Sequence, residues 1–323
     1  MSLGGSSARI LVALGLFICT TCVFAAPVAI GFIAPDEEPR YTNLLLGLRQ
    51  GLQAAGVGAE NATIIEHRVR RGDSAMAISA AESLSAGNAR LAFVVGTELT
   101  KSVRTVAKAL PIVFITPGDP VRAGLATSMA RPGNSLTGMT FEFAELSAKR
   151  LELLKEIVPA ARRVGVVYDP RDSSPRQGFT AAKEASARLG MQLVEIDVES
   201  LPRIDSAAAP AGKLDGLLLI PGGAMSTAIE SAGKLAAAQR IVSVGWARGE
   251  VAPSTVLSYG VNDVEVARNA ARLVVRVLNG QPAGDMPIEQ PTKFEFVINL
   301  KMAKSLGITI PQSVLLRADE VIQ

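Results

Sequence analysis

The chain of 323 residues is poor in the side chains that carry covalent and redox chemistry, with two cysteines, one histidine, one tryptophan and three tyrosines. Both cysteines, Cys19 and Cys22, fall in the first segment, so the rest can hold no disulfide and no thiolate-bound metal. Packing alone has to stabilise it. The single histidine, His67, sits inside a run that reads as a strand, which suits a structural residue better than a general base. The patterns GxSxG, HExxH, GxGxxG and GxxxxGK[ST] are all missing. Nothing pairs a nucleophile with a base, and no enzyme activity, cofactor or metal is expected. Charge of one sign is also lacking: 33 Lys and Arg are interspersed with 30 Asp and Glu, and a net +3 leaves no electrostatic footprint for nucleic acid.

What is present begins with an apolar run from Ile10 to Pro27, preceded by Arg9 and ending in small residues. It is short for a membrane span and fits a secretory signal, residues 1–25, cleaved after Val23-Phe24-Ala25. Ile18 before Cys19 and Thr21 before Cys22 spoil a lipoprotein box. A released protein that is not embedded in the membrane is therefore expected, with retention of the segment as an N-terminal anchor as the alternative.

From Val28 onward, apolar runs alternate with amphipathic stretches. VAIGFIAP, ATIIEHRV, RLAFVVG and PIVFITP read as strands, with helices between them over 42–56, 73–87 and 98–110, capped by Thr42, Asp73 and glycines. After SLTGMT the alternation restarts with a helix over 144–158, strand RVGVVYDP, a helix over 175–190, and strands QLVEIDV, LDGLLLIP and IVSVG, the last two flanking a helix over 224–239. Repeated strand–helix–strand units mean right-handed crossovers and parallel sheets covered on both faces. The expected fold is α/β, with two doubly wound lobes joined by a multi-crossing hinge. The first lobe would comprise 28–141 plus 259–281 and the second 142–258 plus 282–323, because the apolar stripe of the helix over 263–279 needs the first sheet to cover. The tail FEFVINLKMAKSLG, with Asn299 opening a helix and Gly307 closing it, would strap back onto the second lobe.

In such sheets ligands gather where strand C-termini meet helix N-termini. The candidate ligand-binding residues at those ends are Asp36, Thr97, Glu98, Thr116, Asp119, Tyr168, Gly222, Gly223, Trp246 and Tyr259, with Tyr41 and Asp169 beside them. The aromatics could stack on a ring or hold a cation; packing of hinges and loop bases is the alternative. Thr97 and the free amides of its helix could receive a carboxylate, or Thr97 could cap that helix; Asp119 could pair with an ammonium or shape a turn before Pro120.

Five segments carry a resemblance: GLRQGLQAAG at 47–56, PIVFITPGDPVRAGLATSMARPGNSLTGMT at 111–140, ELSAKRLELLKEIVP at 145–159, LSYGVND at 257–263 and QPTKFEFVINLKMAKSLGITIPQSVLLRADEVI at 290–322. Through them nearly the whole mature chain resembles the ABC-transporter substrate-binding proteins of the tryptophan/tyrosine-binding type, with a type I periplasmic binding fold. The resemblance implies a monomer that closes on a small solute, an amino acid or related aromatic compound, and delivers it to a permease and its ATPase. A ligand-sensing receptor domain signalling through a membrane partner is the alternative. The sequence departs from the family's loops at YDPRDSSP, PGGA and WARGE, all of which would line the cleft, so the solute's identity does not carry over.

Overall fold

The computed structural model describes residues 27–70, 72–141, 143–201, 212–222, 225–247 and 255–323; the expected signal segment and Gly223 lie outside them. Strands β1 (Val28–Pro35), β2 (Ala62–Val69), β3 (Leu91–Val95), β4 (Ile112–Thr116) and β5 (Leu136–Thr140) form a parallel five-stranded sheet ordered β2-β1-β3-β4-β5. Its residues point alternately into two cores. Phe93 and Val95 meet helices α1 (Arg40–Ala54) and α7 (Asp263–Leu278), while Ala92 and Val94 meet α2 (Ser74–Ala86) and α3 (Thr97–Val106). Burial on both faces is why these strands read as unbroken apolar runs.

The second sheet is built from β6 (Arg163–Tyr168), β7 (Gln192–Asp197), β8 (Gly216–Leu219), β9 (Val242–Gly245), β10 (Leu257–Gly260), β11 (Glu295–Asn299) and β12 (Glu320–Ile322). Its order is β12-β11-β10-β9-β8-β6-β7. Helices α4 (Phe143–Ile157) and α5 (Ser173–Arg188) cover one face, and α6 (Met225–Gln239) covers the other. This sheet is not wholly parallel, since β10 and β11 pair antiparallel. The chain leaves β10 for the first lobe and re-enters from that side, so β11 has to run the opposite way.

Local signals explain the element ends. The Asp73 carboxylate caps α2 through Met76 N, and the Asn299 side chain caps α8 (Leu300–Leu306) through Met302 N, while Gly307 ends α8 at φ 71°. Thr42 is no cap, because α1 already starts at Arg40. Helix α7 crosses to the first lobe and packs on α1, where Gly47 and Gly51 face Ala267 and Ala271. Ala303 and Leu306 of α8, with Val314 of α9 (Gln312–Leu315), join the core of the second lobe.

The two later seams lie elsewhere than at 259 and 281. Tyr259 belongs to β10 and pairs with Phe296 in the second sheet, so that crossing follows Gly260. Residues 282–289 stay on the first lobe: Gly133 N donates to Gly284 O at 3.0 Å, and Thr140 N donates to Glu289 O at 2.9 Å. The free edge of β5 needs backbone partners, and this segment supplies them.

Candidate functional site

The carboxyl ends of β3 and β4 face the first turn of α5. After β3 the chain turns at Gly96, whose φ of 105° suits glycine, and enters α3 at Thr97. The Thr97 side chain does not cap that helix. Its hydroxyl instead bonds the Thr116 hydroxyl at the end of β4 and the Ser174 hydroxyl of α5, the latter at 2.9 Å. All three residues are buried.

Two further bonds join the lobes at this seam. Ser173 Oγ donates to Glu98 Oε1 at 2.9 Å, and the backbone N of Asp119 donates to Gln177 Oε1 at 3.1 Å. Asp172 caps α5 by accepting from Ser174 N. The N-termini of α3 and α5, two partial positive charges, therefore converge on one small cluster of hydroxyls. Such a seam can bind polar groups through its hydroxyls and helix N-termini. His67 lies on the edge strand β2, where burial holds its imidazole below the usual histidine range. Among the described residues, no group of His, Cys, Asp or Glu is placed to hold a metal ion.

The other candidates are placed as follows. Asp36 is exposed and ion-paired with Arg68 at 2.9 Å, and Arg68 also pairs with Glu38 and lies 3.8 Å over the Tyr41 ring. Tyr41 is in the first turn of α1, buried edge-on against Phe32, with its hydroxyl on Glu66. The Asp119 carboxylate accepts from Val121 N and Arg122 N, so it shapes its own turn. Asp169 holds Arg171, which also reaches Asp197 and Glu199. Gly222 lets the loop after β8 approach α5, since an added Cβ would lie 2.5 Å from Pro175.

The aromatic candidates pack against the cores of the lobes. Tyr168 stacks on Phe179 at 4.7 Å inside the core of the second lobe, with its hydroxyl on Glu195; burial raises its pKa. Trp246 is 5 % exposed and packs among Val167, Leu219 and Met225 on the opposite face. Tyr259 sits at the crossing, in contact with both lobes' cores and with the Phe294 and Phe296 rings.

Several residues at the seam and hinge were missed. Ser173, Ser174 and Gln177 sit in a segment read only as a divergent loop and helix start; the Asp-Ser-Ser cap pattern was the available signal. Arg150, in a stretch that looks like an ordinary charged helix, is fully buried and donates through Nε to Tyr259 O at 2.6 Å. Burial pushes its pKa down to about 9, which still leaves it charged near neutral pH. A cavity of about 440 Å³, lined by Arg90, Pro111, Ser135, Val277, Gly280 and Asp285, lies at the opposite, amino end of the first sheet and does not adjoin the seam.

A family model described as ABC transporter substrate binding protein matches residues 29–322. A curated relative, the tyrosine-binding protein of Clostridioides difficile, is 23% identical over 280 residues, spanning 86% of this chain and 81% of that protein. Among solved structures, a conserved domain protein from Vibrio cholerae superimposes with a TM-score of 0.82 at 25% identity, covering 91% of this chain and 99% of the other. An ABC domain from Streptococcus pneumoniae in complex with L-Trp gives a TM-score of 0.83 at 21% identity, covering 92% and 100% respectively.

Proposed function

Because the chain belongs to the ABC transporter substrate-binding protein family, we propose that it is the extracytoplasmic solute-binding component of an uptake transporter, closing its two lobes on an amino acid. The observation that carries this reading is the seam itself, where hydroxyls and helix N-termini from both lobes meet at Thr97, Thr116 and Ser174. A carboxylate placed there would take backbone N–H donors from α3 and α5 together with the hydroxyls. The tyrosine-binding relative and the L-Trp complex support an amino acid with an aromatic side chain. Tyr168 and Trp246 would support such a ring from within the second-lobe core rather than stack on it. Loaded protein would then dock on a membrane permease driven by an ATPase.

Isothermal titration of the purified protein against L-Trp, L-Tyr and the remaining amino acids tests the reading. Saturable one-to-one binding of at least one amino acid is expected, and loss of its carboxylate, as in the corresponding amine, should abolish binding. No heat with any amino acid would refute the solute class.

A further inference from the structure

The two open sheets have four outer strands, and three of these are covered or blunted. The free edge of β5 is taken by residues 282–289. Strand β12 is three residues long. Strand β7 carries Glu195 and Asp197 on one face, so pairing with a second copy would set carboxylate against carboxylate. Strand β2 has eight residues, no proline and, among the described residues, no neighbouring strand except β1. An edge of that length is a template for another strand.

The bonds to β1 fix which residues of this edge face outward. Val28 N donates to Asn61 O at 2.9 Å and Asp36 N to Val69 O at 3.0 Å, so the odd-numbered residues of β2 turn their backbone groups toward β1. Ile64, Glu66 and Arg68 therefore turn theirs outward. The Glu66 and Arg68 side chains lie on the α1 face, beside Tyr41, and they keep 36 % and 44 % exposure while pairing with Arg49 and Asp36. With a second copy of β2 laid antiparallel and the two-fold axis at His67, Glu66 of each copy falls directly opposite Arg68 of the other. Apolar surface flanks the same edge. Ile65 on β2, Leu46 one turn before Arg49 on α1, and Met76 of α2, whose sulfur accepts from Arg70 N, are 37 %, 44 % and 38 % exposed.

We propose that two copies of this chain associate edge to edge through β2, antiparallel about His67, joining their first-lobe sheets into one. The reciprocal Glu66–Arg68 pairs select this register, since the neighbouring ones set Glu66 against Glu66 or Arg68 against Arg68. Strand β1 lies between the edge and β3 and β4, whose ends form the seam. The pairing is independent of the solute-binding reading, and it departs from the monomer that the resemblance implies.

Sedimentation velocity over a wide concentration range tests this. The wild type should move from the mass of one chain to that of two as concentration rises. Glu66→Arg and Arg68→Glu each set like charges face to face twice, and each should raise the dissociation constant by about tenfold or more. The variant carrying both exchanges should recover the dimer. Because it leaves Arg49 and Asp36 facing like charges, that recovery reads only the contact between copies. A disulfide test does not depend on those variants folding. In a Cys19→Ser, Cys22→Ser background, His67→Cys sets two thiols across a non-hydrogen-bonded pair whose Cα atoms lie about 4.5 Å apart, within reach of a disulfide. Oxidation with diamide should crosslink two chains through residue 67, while Thr63→Cys in the same background should stay uncrosslinked. A wild type of single-chain mass at every concentration, single exchanges as dimeric as the wild type, a double exchange that fails to recover, or Thr63→Cys crosslinking as readily as His67→Cys would overturn the pairing.

Discussion

Replacing Thr97 by valine keeps the shape of the side chain and removes only its hydroxyl. In the closed arrangement that hydroxyl serves Thr116 and Ser174, which are 0 % and 1 % exposed, while Thr97 itself is 3 % exposed. Valine would leave both partners short of a hydrogen bond away from water, at a cost of about 1–3 kcal/mol. When the lobes part, Ser174 and the Thr97 side are wetted and most of that cost vanishes. The penalty therefore falls mainly on the closed form, and solute affinity should drop by roughly 5- to 150-fold. Thr97→Ser, which keeps the hydroxyl, should stay within about threefold of wild type, a small loss for one methyl group. Titration calorimetry with the tightest-binding amino acid measures both, alongside thermal melts in the absence of solute to confirm that the fold is intact. Valine binding as tightly as wild type, or serine losing as much as valine, would refute the assignment of Thr97 to the seam.

Gly47→Ala sets a helix-propensity gain of about 1 kcal/mol against overlap with the Val264 carbonyl and with Ala267 of α7, and overpacking of about 1–3 kcal/mol should win; a lowered urea midpoint checks it, and a raised one would show that α7 does not lie on α1. Trp246, at 5 % exposure, should emit at short wavelength, resist acrylamide quenching and stay unchanged on solute binding; ready quenching would put the indole at the surface instead. His67 is held below its usual pKa of 6.5 by burial. Between its folded and unfolded pKa values the unfolded chain binds the proton and the native one does not, so stability falls as pH drops below about 6.5. Urea midpoints from pH 7.5 to 5.5 should therefore decline less in His67→Gln than in wild type, and parallel curves would show that His67 is solvated.

The alternation of strands and helices, the restart after SLTGMT and the caps at Asp73 and Asn299 were all readable, because each depends on neighbours within a few residues. Thr97 and Thr116 were placed at strand ends by the same rule, and they meet at the seam. The aromatics illustrate the limit of that rule. Scarcity drew attention to Tyr168 and Trp246, but in a sheet buried on both faces alternate residues are equally apolar, so parity gives no sign of which way a ring points. Asp119 accepts from the backbone of its own turn and Asp36 pairs with Arg68, partners that a strand-end position does not reveal.

The sequence by itself determined the two α/β units and the poverty of groups for covalent chemistry, since composition and short-range periodicity decide both. Only the tertiary structure decided where the lobes meet. The partners of Thr97, Glu98 and Asp119 lie 58 to 77 residues away, and a hydrogen bond between distant residues leaves no period in the chain. The same holds for Arg150 on Tyr259 O, 109 residues on, and for the seams after Gly260 and Glu289. Those were set by which backbone edge still lacked partners once both sheets had formed.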